Sequence, residues 1–217
     1  MEVLFNAQNF ARLLDGVMVT FYIALISIIF SCIFGFILGY VMTLHPLWLK
    51  SICRLYLESV RIIPILAWLF IVYFGFSSFL NLNGIGACIV VFSLWGIAEI
   101  GDLVRGAITS LPKHQSESAR ALGLKEWQVQ VFIIFPQSFK ALLPSLVNLF
   151  TRMIKTTSLA ALIGVSDMLK VGQQIIEVNL IHNAMASFWV YGGIMALYFV
   201  LCYPLSLYSK YLESKLS

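Results

Sequence analysis

A small set of charged and polar residues lies inside or beside apolar stretches of this chain. Glu58 and Arg61 are three residues apart, so a helix would place both side chains on one face. Asn148, Arg152 and Lys155 follow one another at spacings of four and three, which predicts a polar stripe on a later helix. Cationic side chains bind carboxylates and a carboxylate binds ammonium, so this set could hold a zwitterion.

Neutral hydrogen-bonding side chains near these charges complete the candidate substrate path. They are Thr20, Thr156 and Ser158. Each ionised group near the bilayer centre costs roughly 2.5–3.5 kcal/mol, so the charges must face one another or water. Two interpretations stay open: Glu58 and Arg61 only neutralise each other and lock a kink at Pro64, or the whole set lines a cavity between subunits. We favour the cavity.

The remaining titratable residues suggest little chemistry. Asp102 and Arg105 predict a local ion pair at the inner end of a span, and Glu99, one turn earlier, receives no role. The histidines and cysteines are scattered without ligand spacing, so we expect no metal, disulfide or cofactor in the chain. They are His45, His114, His182, Cys32, Cys53, Cys88 and Cys202.

Membrane-spanning helices must position these residues. Of the 217 residues, 60% are hydrophobic and only 11% are charged, far below the charged fraction of soluble domains. A span needs roughly 20 residues, and the apolar runs predict five spans in one domain, 1–217. The spans are about 17–43, 55–78, 85–107, 139–164 and 186–209. We therefore predict an all-α membrane protein.

The start of the chain is amphipathic. Its apolar positions, Val3, Leu4, Phe10, Leu13 and Leu14, alternate with polar ones such as Glu2 and Arg12. This pattern predicts a short interfacial helix before the first span. The start has no basic segment or cleavage site typical of a signal peptide, so we expect the first span to be retained.

The distribution of lysine and arginine predicts the orientation. Basic residues concentrate on the cytoplasmic side of membrane proteins. With the N-terminus outside, the outer side keeps only Arg12 and Lys170. The inner side then holds Lys50, Arg54, Arg105, Lys113, Arg120, Lys125, Lys140, Lys210 and Lys215. We therefore expect the C-terminus in the cytoplasm and the polar run 167–183 outside, as a short surface helix that either receives a binding protein or is simply solvated.

A polar segment at about 112–137 separates the third and fourth spans. Ala119 and Ala121 favour helix, Gly123 permits the positive φ that ends one, and Glu126 suits the start of the next. This predicts two short helices joined at Gly123, forming a rigid elbow that a partner can approach closely. The apolar residues expected to anchor the second helix are Trp127, Val131, Phe132 and Ile133.

The elbow resembles a known motif. Its residues run Glu117-x-Ala119, then Gly123, then nine residues, then Ile133-x-Phe135-Pro136. This pattern resembles the EAA loop of permease subunits of bacterial ABC importers. Ser118 and Phe135 depart from its consensus only by small-for-small and apolar-for-apolar exchange. Further segments resemble the polar amino acid branch of these permeases. They are Leu14-Asp15-Gly16 with Thr20, Tyr56 to Leu66, Asp102 with Arg105-Gly106, and Lys155 with Thr157-Ser158-Leu159.

The resemblance implies an inner-membrane transport subunit whose elbow is a cytoplasmic coupling helix for separate ABC ATPase subunits that carry ATP and magnesium. The chain itself has no GxxxxGK[ST] phosphate loop. The coupling residues would be Glu117, Ser118, Ala119, Ala121, Leu122, Gly123 and Pro136. The other implied partners are a second permease chain, identical or related, an extracytoplasmic amino-acid-binding protein and a polar amino acid. Thr156 stands where the family often has Asp, which disfavours a strongly basic substrate.

Two other classes of function fit the sequence less well. An ion-gradient-driven secondary transporter of a small polar solute could use Glu58 or Glu99 as a proton carrier, but it normally shows internal repeats of spans, and none is visible. A membrane enzyme needs a clustered catalytic set or a nucleophile motif such as GxSxG, and the sequence has neither. We therefore expect no catalysis in the chain and no nucleic-acid partner.

Overall fold

The computed structural model describes residues 7–44, 46–76, 79, 81–180 and 185–216, and all regular structure within them is helical. The nine α-helices of this part of the chain are α1 Ala7–Val41, α2 Leu47–Ile62, α3 Ile65–Phe70, α4 Gly84–Thr109, α5 Lys113–Ala121, α6 Glu126–Val129, α7 Phe135–Thr156, α8 Met168–Asn179 and α9 Ala186–Leu216. A π-helical turn, Ile71–Gly75, extends α3, and a second, Gln130–Ile134, joins α6 to α7. A 3-10 helix, Thr157–Ile163, follows α7. The predicted all-α class is confirmed.

Four of these elements are long and apolar enough to cross a membrane: α1, α4, the continuous run Glu126–Ile163, and α9. The predicted second span is instead a pair of helices, α2 and α3, that meet at an angle of 96°. Pro64 causes the break, because it disfavours helical geometry in the residue before it, and Ile63 is accordingly extended with ψ 127°. The five predicted crossings are reached when this bent pair is counted as one.

The amphipathic start of the chain does not form a separate helix from Ala7 onward, because α1 runs unbroken to Val41. Its 35 residues span about 52 Å, well beyond the roughly 30 Å of hydrocarbon. The first turns of α1 therefore extend past the apolar layer. The predictions that fall on Glu2, Val3, Leu4, His45 and His182 lie outside the described residues.

The centre of the bundle is a close contact between α1 and α4. Ser27, Ser31, Gly35 and Gly39 are buried and spaced by four, so they form one small-residue stripe on α1. A Cβ added at Gly39 would lie 2.6 Å from the carbonyl oxygen of Gly101, which shows how closely the two backbones approach.

The other helices pack around this pair. α7 covers another face of α4 with leucines that meet Ile100 and Val104. α9 packs on α7, where the Ser209 hydroxyl donates to the Pro144 carbonyl at 2.9 Å. This bond satisfies a buried polar group near a proline inside α7.

Helix α8 packs more deeply than the predicted surface helix. Its buried face meets Leu13 of α1 and Val190 and Ile194 of α9. That face consists of Met168, Val171, Gly172, Ile175 and Ile176. The Arg12 guanidinium also donates to the Gln174 side chain at 2.7 Å and ties α8 to α1. The apolar face of α8 thus belongs to the bundle, while Lys170, Gln173, Gln174 and Glu177 on its polar face stay partly or fully exposed.

Candidate functional site

Helix α5 ends in a tight left-handed turn at Gly123. Gly123 has φ +85°, a conformation that glycine adopts without penalty. Its N–H donates to the Arg120 carbonyl at 2.9 Å, and the Leu124 N–H donates to the Ala119 carbonyl at 3.2 Å. This pair of bonds is the Schellman motif, which usually brings an apolar contact between the same outer residues. The predicted elbow at Gly123 is thus observed in the structure.

The elbow has an inner and an outer side. Ala119 is 3% exposed and packs with Val129 and Ile134, next to Leu124. Its small side chain therefore serves packing within the chain and is not available to a partner. The outer side is formed by exposed residues of the predicted coupling set: Glu117, Ser118, Ala121, Leu122 and Gly123. Leu122 is 82% exposed, so an apolar side chain stands free at the tip.

A salt bridge spans the turn. Glu126 is the first residue of α6, and its carboxylate accepts two hydrogen bonds from the Arg120 guanidinium, at 2.8 and 2.9 Å. This pairing raises the pKa of Arg120 above its usual value. The Lys125 N–H donates to the Gln128 side chain at 2.8 Å and caps the start of α6. The two helices are therefore held on both sides of Gly123.

The second helix of the elbow differs from its prediction. It continues through a π-helical turn into α7, so Pro136 lies exposed near the start of a long helix and does not end a short one. Val129 and Ile134, five residues apart, face the bundle together because the π-turn widens the helical repeat. The predicted anchors Trp127, Val131 and Phe132 are instead more than half exposed.

A charged network joins three helices on the face of α4. Glu99 accepts hydrogen bonds from Arg61 of α2 at 3.1 Å and from Arg152 of α7 at 3.2 Å. Arg61 also pairs with Asp102 at 2.8 Å, and Arg105 donates to the other oxygen of Asp102 at 3.0 Å. The predicted Asp102–Arg105 pair is confirmed. Three guanidinium groups and two carboxylates thus form one connected cluster.

The network corrects one prediction and adds residues to the candidate path. Within the described part of the chain, Arg61 makes its ion pairs with α4 and none with Glu58, which is exposed. The sequence alone assigns no role to Glu99. Glu99, Asp102 and Arg105 are spaced by three, so they share one helix face, and this spacing could have predicted that Glu99 joins the charged cluster.

The predicted polar stripe lies on the outward side of α7. Asn148, Arg152 and Lys155 are exposed, and Ser145, which sequence reasoning missed, continues the stripe one turn earlier. The opposite side of α7 is buried through Leu146, Leu149, Met153 and Ile154. The chain itself leaves this polar face uncovered, although a polar face at membrane depth needs water or protein beside it.

The remaining predicted path residues are placed differently. The hydroxyls of Thr156 and Ser158 donate to backbone carbonyls one turn earlier, both at 2.9 Å. Thr20 is fully buried, and its hydroxyl accepts a hydrogen bond from the Met168 N–H at 3.2 Å. Thr20 therefore fixes the start of α8 against α1 and does not reach the exposed stripe.

Asp167, predicted on an outer surface, is completely buried. One carboxylate oxygen caps α8 by accepting the Lys170 N–H at 2.9 Å. The other is buried and has no hydrogen-bond partner among the described residues. Burial raises the pKa of Asp167 to about 6, because the charged form loses its hydration. Within the described ranges, no group of three potential metal ligands occurs.

Comparison with known proteins identifies the family. Residues 31–217 match the family model described as the binding-protein-dependent transport system inner membrane component. The chain belongs to this family. The permease is therefore a multi-pass protein of the inner membrane and a transport subunit rather than an enzyme.

Two curated relatives come from Bacillus subtilis. A probable amino-acid ABC transporter permease protein, YckA, is 34% identical over 174 residues, which cover 78% of this permease and 77% of the relative. A probable glutamine ABC transporter permease protein, GlnP, is 30% identical over 210 residues and covers 96% and 95% of the two chains. The similarity to these relatives thus extends over most of each chain.

Solved structures share the fold. The permease matches a chain of an amino acid ABC transporter crystallised with histidines, with a TM-score of 0.88 and 23% identity over 99% of both chains. It also matches a chain of the inward-facing MetNI methionine ABC transporter, with a TM-score of 0.79, 18% identity, and coverage of 98% and 100%. The arrangement of helices is therefore that of ABC importer permeases.

Proposed function

We propose that the permease is the transmembrane subunit of an ATP-driven importer that moves a polar amino acid across the inner membrane. The observation that supports this proposal is the Gly123 elbow, whose residue spacing resembles an EAA-type coupling loop and whose outer side is exposed. ATP and magnesium are bound by separate ABC ATPase subunits that dock on Glu117, Ser118, Ala121 and Leu122. The B. subtilis relatives, named as amino-acid and glutamine permeases, support the substrate class.

The substrate path follows the uncovered stripe of α7. A second permease chain, identical or related, faces this stripe and excludes lipid from it. Lys155 has no ion pair among the described residues, and Arg152, held by Glu99, lies one turn before it on the same exposed face. These two cations bind the substrate α-carboxylate. The exposed Glu58 binds the ammonium group, and Asn148 adds a neutral contact. Arg61 and Glu99 hold Arg152 in place through the network.

The single domain, residues 1–217, crosses the membrane five times, with α2 and α3 together forming one crossing. The N-terminus lies outside and the elbow lies in the cytoplasm, in keeping with the basic residues around it. An extracytoplasmic binding protein delivers the amino acid on the side of α8. A cysteine introduced at Leu122 and labelled with an impermeant reagent tests this orientation, and labelling from outside intact cells would refute it.

Docking is tested by titrating the cognate ATPase onto purified permease in nanodiscs. We expect Leu122→Asp to raise the Kd at least tenfold, because it places a charge at the apolar tip without disturbing any buried contact. Ser110→Asp adds the same charge to an exposed position outside the elbow and should leave the Kd unchanged. Equal affinity in both variants would remove the coupling role.

The path is tested by amino acid uptake into liposomes that contain the complete transporter. Lys155→Met should reduce uptake strongly, while Lys140→Met makes the same change at an exposed lysine about four turns away on α7 and should not. Uptake that persists without ATP but collapses with an uncoupler would instead identify an ion-gradient-driven secondary transporter. Normal uptake by Lys155→Met would exclude Lys155 from the path.

A further inference from the structure

A polar pocket of about 410 Å³ opens between α2, the end of α1 and the end of α4. Six charged residues line it: Lys50, Arg54, Glu58, Arg61, Asp102 and Arg105. Four are cationic and two are anionic, so the pocket carries excess positive charge. Such a pocket favours an anionic ligand.

Internal pairing leaves part of this charge available. Both oxygens of Asp102 are engaged, one by Arg61 at 2.8 Å and the other by Arg105. Lys50 and Arg54 have no ion pair among the described residues. They are four residues apart, so both side chains extend from the same face of α2. These two cations are free to bind an external anion, and Arg54 can bind two phosphate oxygens at once.

The pocket lies at the level of the helix ends. Thr43, two residues after the end of α1, and Thr109, the last residue of α4, both contribute to its wall. The end of α4 at Thr109 is only four residues from Lys113, where the first helix of the elbow begins, so the pocket lies on the elbow side of the spans. This placement rests on the proposed function, which puts the elbow in the cytoplasm. The pocket then faces the headgroups of the inner leaflet.

The other side of α2 is apolar and uncovered. Trp48, Ile52 and Leu55 follow one another at spacings of four and three and are 67%, 59% and 68% exposed. The first half of α2 therefore combines a tryptophan, an apolar stripe and a basic face. This combination is typical of the end of a membrane helix at the lipid–water interface, where basic residues bind anionic headgroups.

We propose that Lys50 and Arg54 form a binding site for the phosphate of an anionic phospholipid of the inner leaflet. Arg61 and Arg105 contribute long-range positive potential while they remain paired with Asp102, and Glu58 disfavours ligands that carry a second negative charge close to the phosphate. A free phosphate shares the same chemistry. The adjacent apolar stripe favours the lipid, because acyl chains can pack on it and a free ion cannot.

Lipid binding is measured on the purified full-length permease by native mass spectrometry, with phosphatidylglycerol as the probe. We expect Lys50→Gln combined with Arg54→Gln to weaken binding about tenfold to thirtyfold. Lys140→Gln combined with Lys210→Gln removes two exposed cations outside the pocket and should bind as the wild type. Phosphatidylcholine should bind weakly to all three proteins. Melting temperatures measured in parallel establish that both double variants are folded.

Three results would overturn the proposal: wild-type affinity in the pocket variant, an equal loss in both double variants, or complete displacement of the lipid by millimolar inorganic phosphate. The last result would assign the pocket to a small anion. The assay uses neither ATPase nor transported substrate, so its failure leaves the proposed transport function untouched. Failure of ATPase docking, in turn, would leave the measured lipid affinities unchanged.

Discussion

Replacing Gly123 with alanine isolates the conformational requirement of the elbow. Gly123 has φ +85°, and apart from its chain neighbours no heavy atom of the described residues lies within 4 Å of the position that a Cβ would occupy. The cost of alanine is therefore conformational, about 1–2 kcal/mol for a left-handed L-residue. In the undocked permease the exposed turn can relax away from the left-handed conformation. Docking of the ATPase must then restore that conformation and pay its cost. We expect the Kd for the ATPase to rise about fivefold to thirtyfold.

The matched control is Gly164→Ala. Gly164 has φ +82° and also has open space around its Cβ position, but it follows the 3-10 helix and lies far along the chain from the elbow. Gly164→Ala should lower the melting temperature more than Gly123→Ala, because the buried Ile163 and Val165 hold the turn at Gly164 in place, and only Gly123→Ala should lose affinity for the ATPase. Cleavage by trypsin after Arg120 and Lys125, which flank the turn, should accelerate in Gly123→Ala alone.

The reasoning fails if both glycine variants bind the ATPase with equal Kd, whether both are normal or both are weakened. Normal binding by Gly123→Ala would mean that the ATPase does not recognise this turn. Equal weakening would mean that general stability, not elbow geometry, controls the interaction. Gly123→Asn provides a further check, since asparagine tolerates left-handed geometry better than alanine and should restore part of the affinity.

Three further predictions concern stability. Glu99→Gln removes the negative charge that Arg61 and Arg152 share, and it should lower the melting temperature by several degrees. The control Asp15→Asn removes an exposed carboxylate and should leave the melting temperature unchanged. Thr20→Val leaves the buried Met168 N–H without its acceptor and should lower the free energy of unfolding by about 1–3 kcal/mol. Thr20→Ser keeps the hydroxyl and should be more stable than Thr20→Val. Equal melting temperatures of the two variants would contradict this. Because the folded pKa of Asp167, about 6, lies above its ordinary value, the folded state binds the extra proton. Stability should therefore fall as pH rises from about 4 to 6, and Asp167→Asn should flatten that part of the profile of melting temperature against pH.

Features governed by local sequence were predicted well. The polar stripe of α7 follows from the spacing of Asn148, Arg152 and Lys155, because helical periodicity alone determines which residues share a face. The turn at Gly123 follows from the conformational freedom of glycine after a helix-forming run. Neither feature depends on where the rest of the chain lies.

Features governed by long-range packing were not predicted. Arg61 pairs with Glu99, 38 residues away, because the 96° bend at Pro64 directs α2 across α4, and the sequence indicates a kink without its angle. Ala119 faces inward because Leu124 and Val129 pack beside it in the folded elbow. Asp167 is buried because the missing side chain of Gly16 lets the start of α8 approach α1 closely.

The stripe of serines and glycines on α1 restricts how the permease can move. With backbones this close, sliding or rolling of α1 against α4 would drive Gly39 into Gly101 and Val104. We therefore expect these two helices to move together during transport. We expect the helices to rearrange instead by bending at Pro64 and at the π-helical turn before α7. At both places the regular α-helical hydrogen-bond pattern is already interrupted.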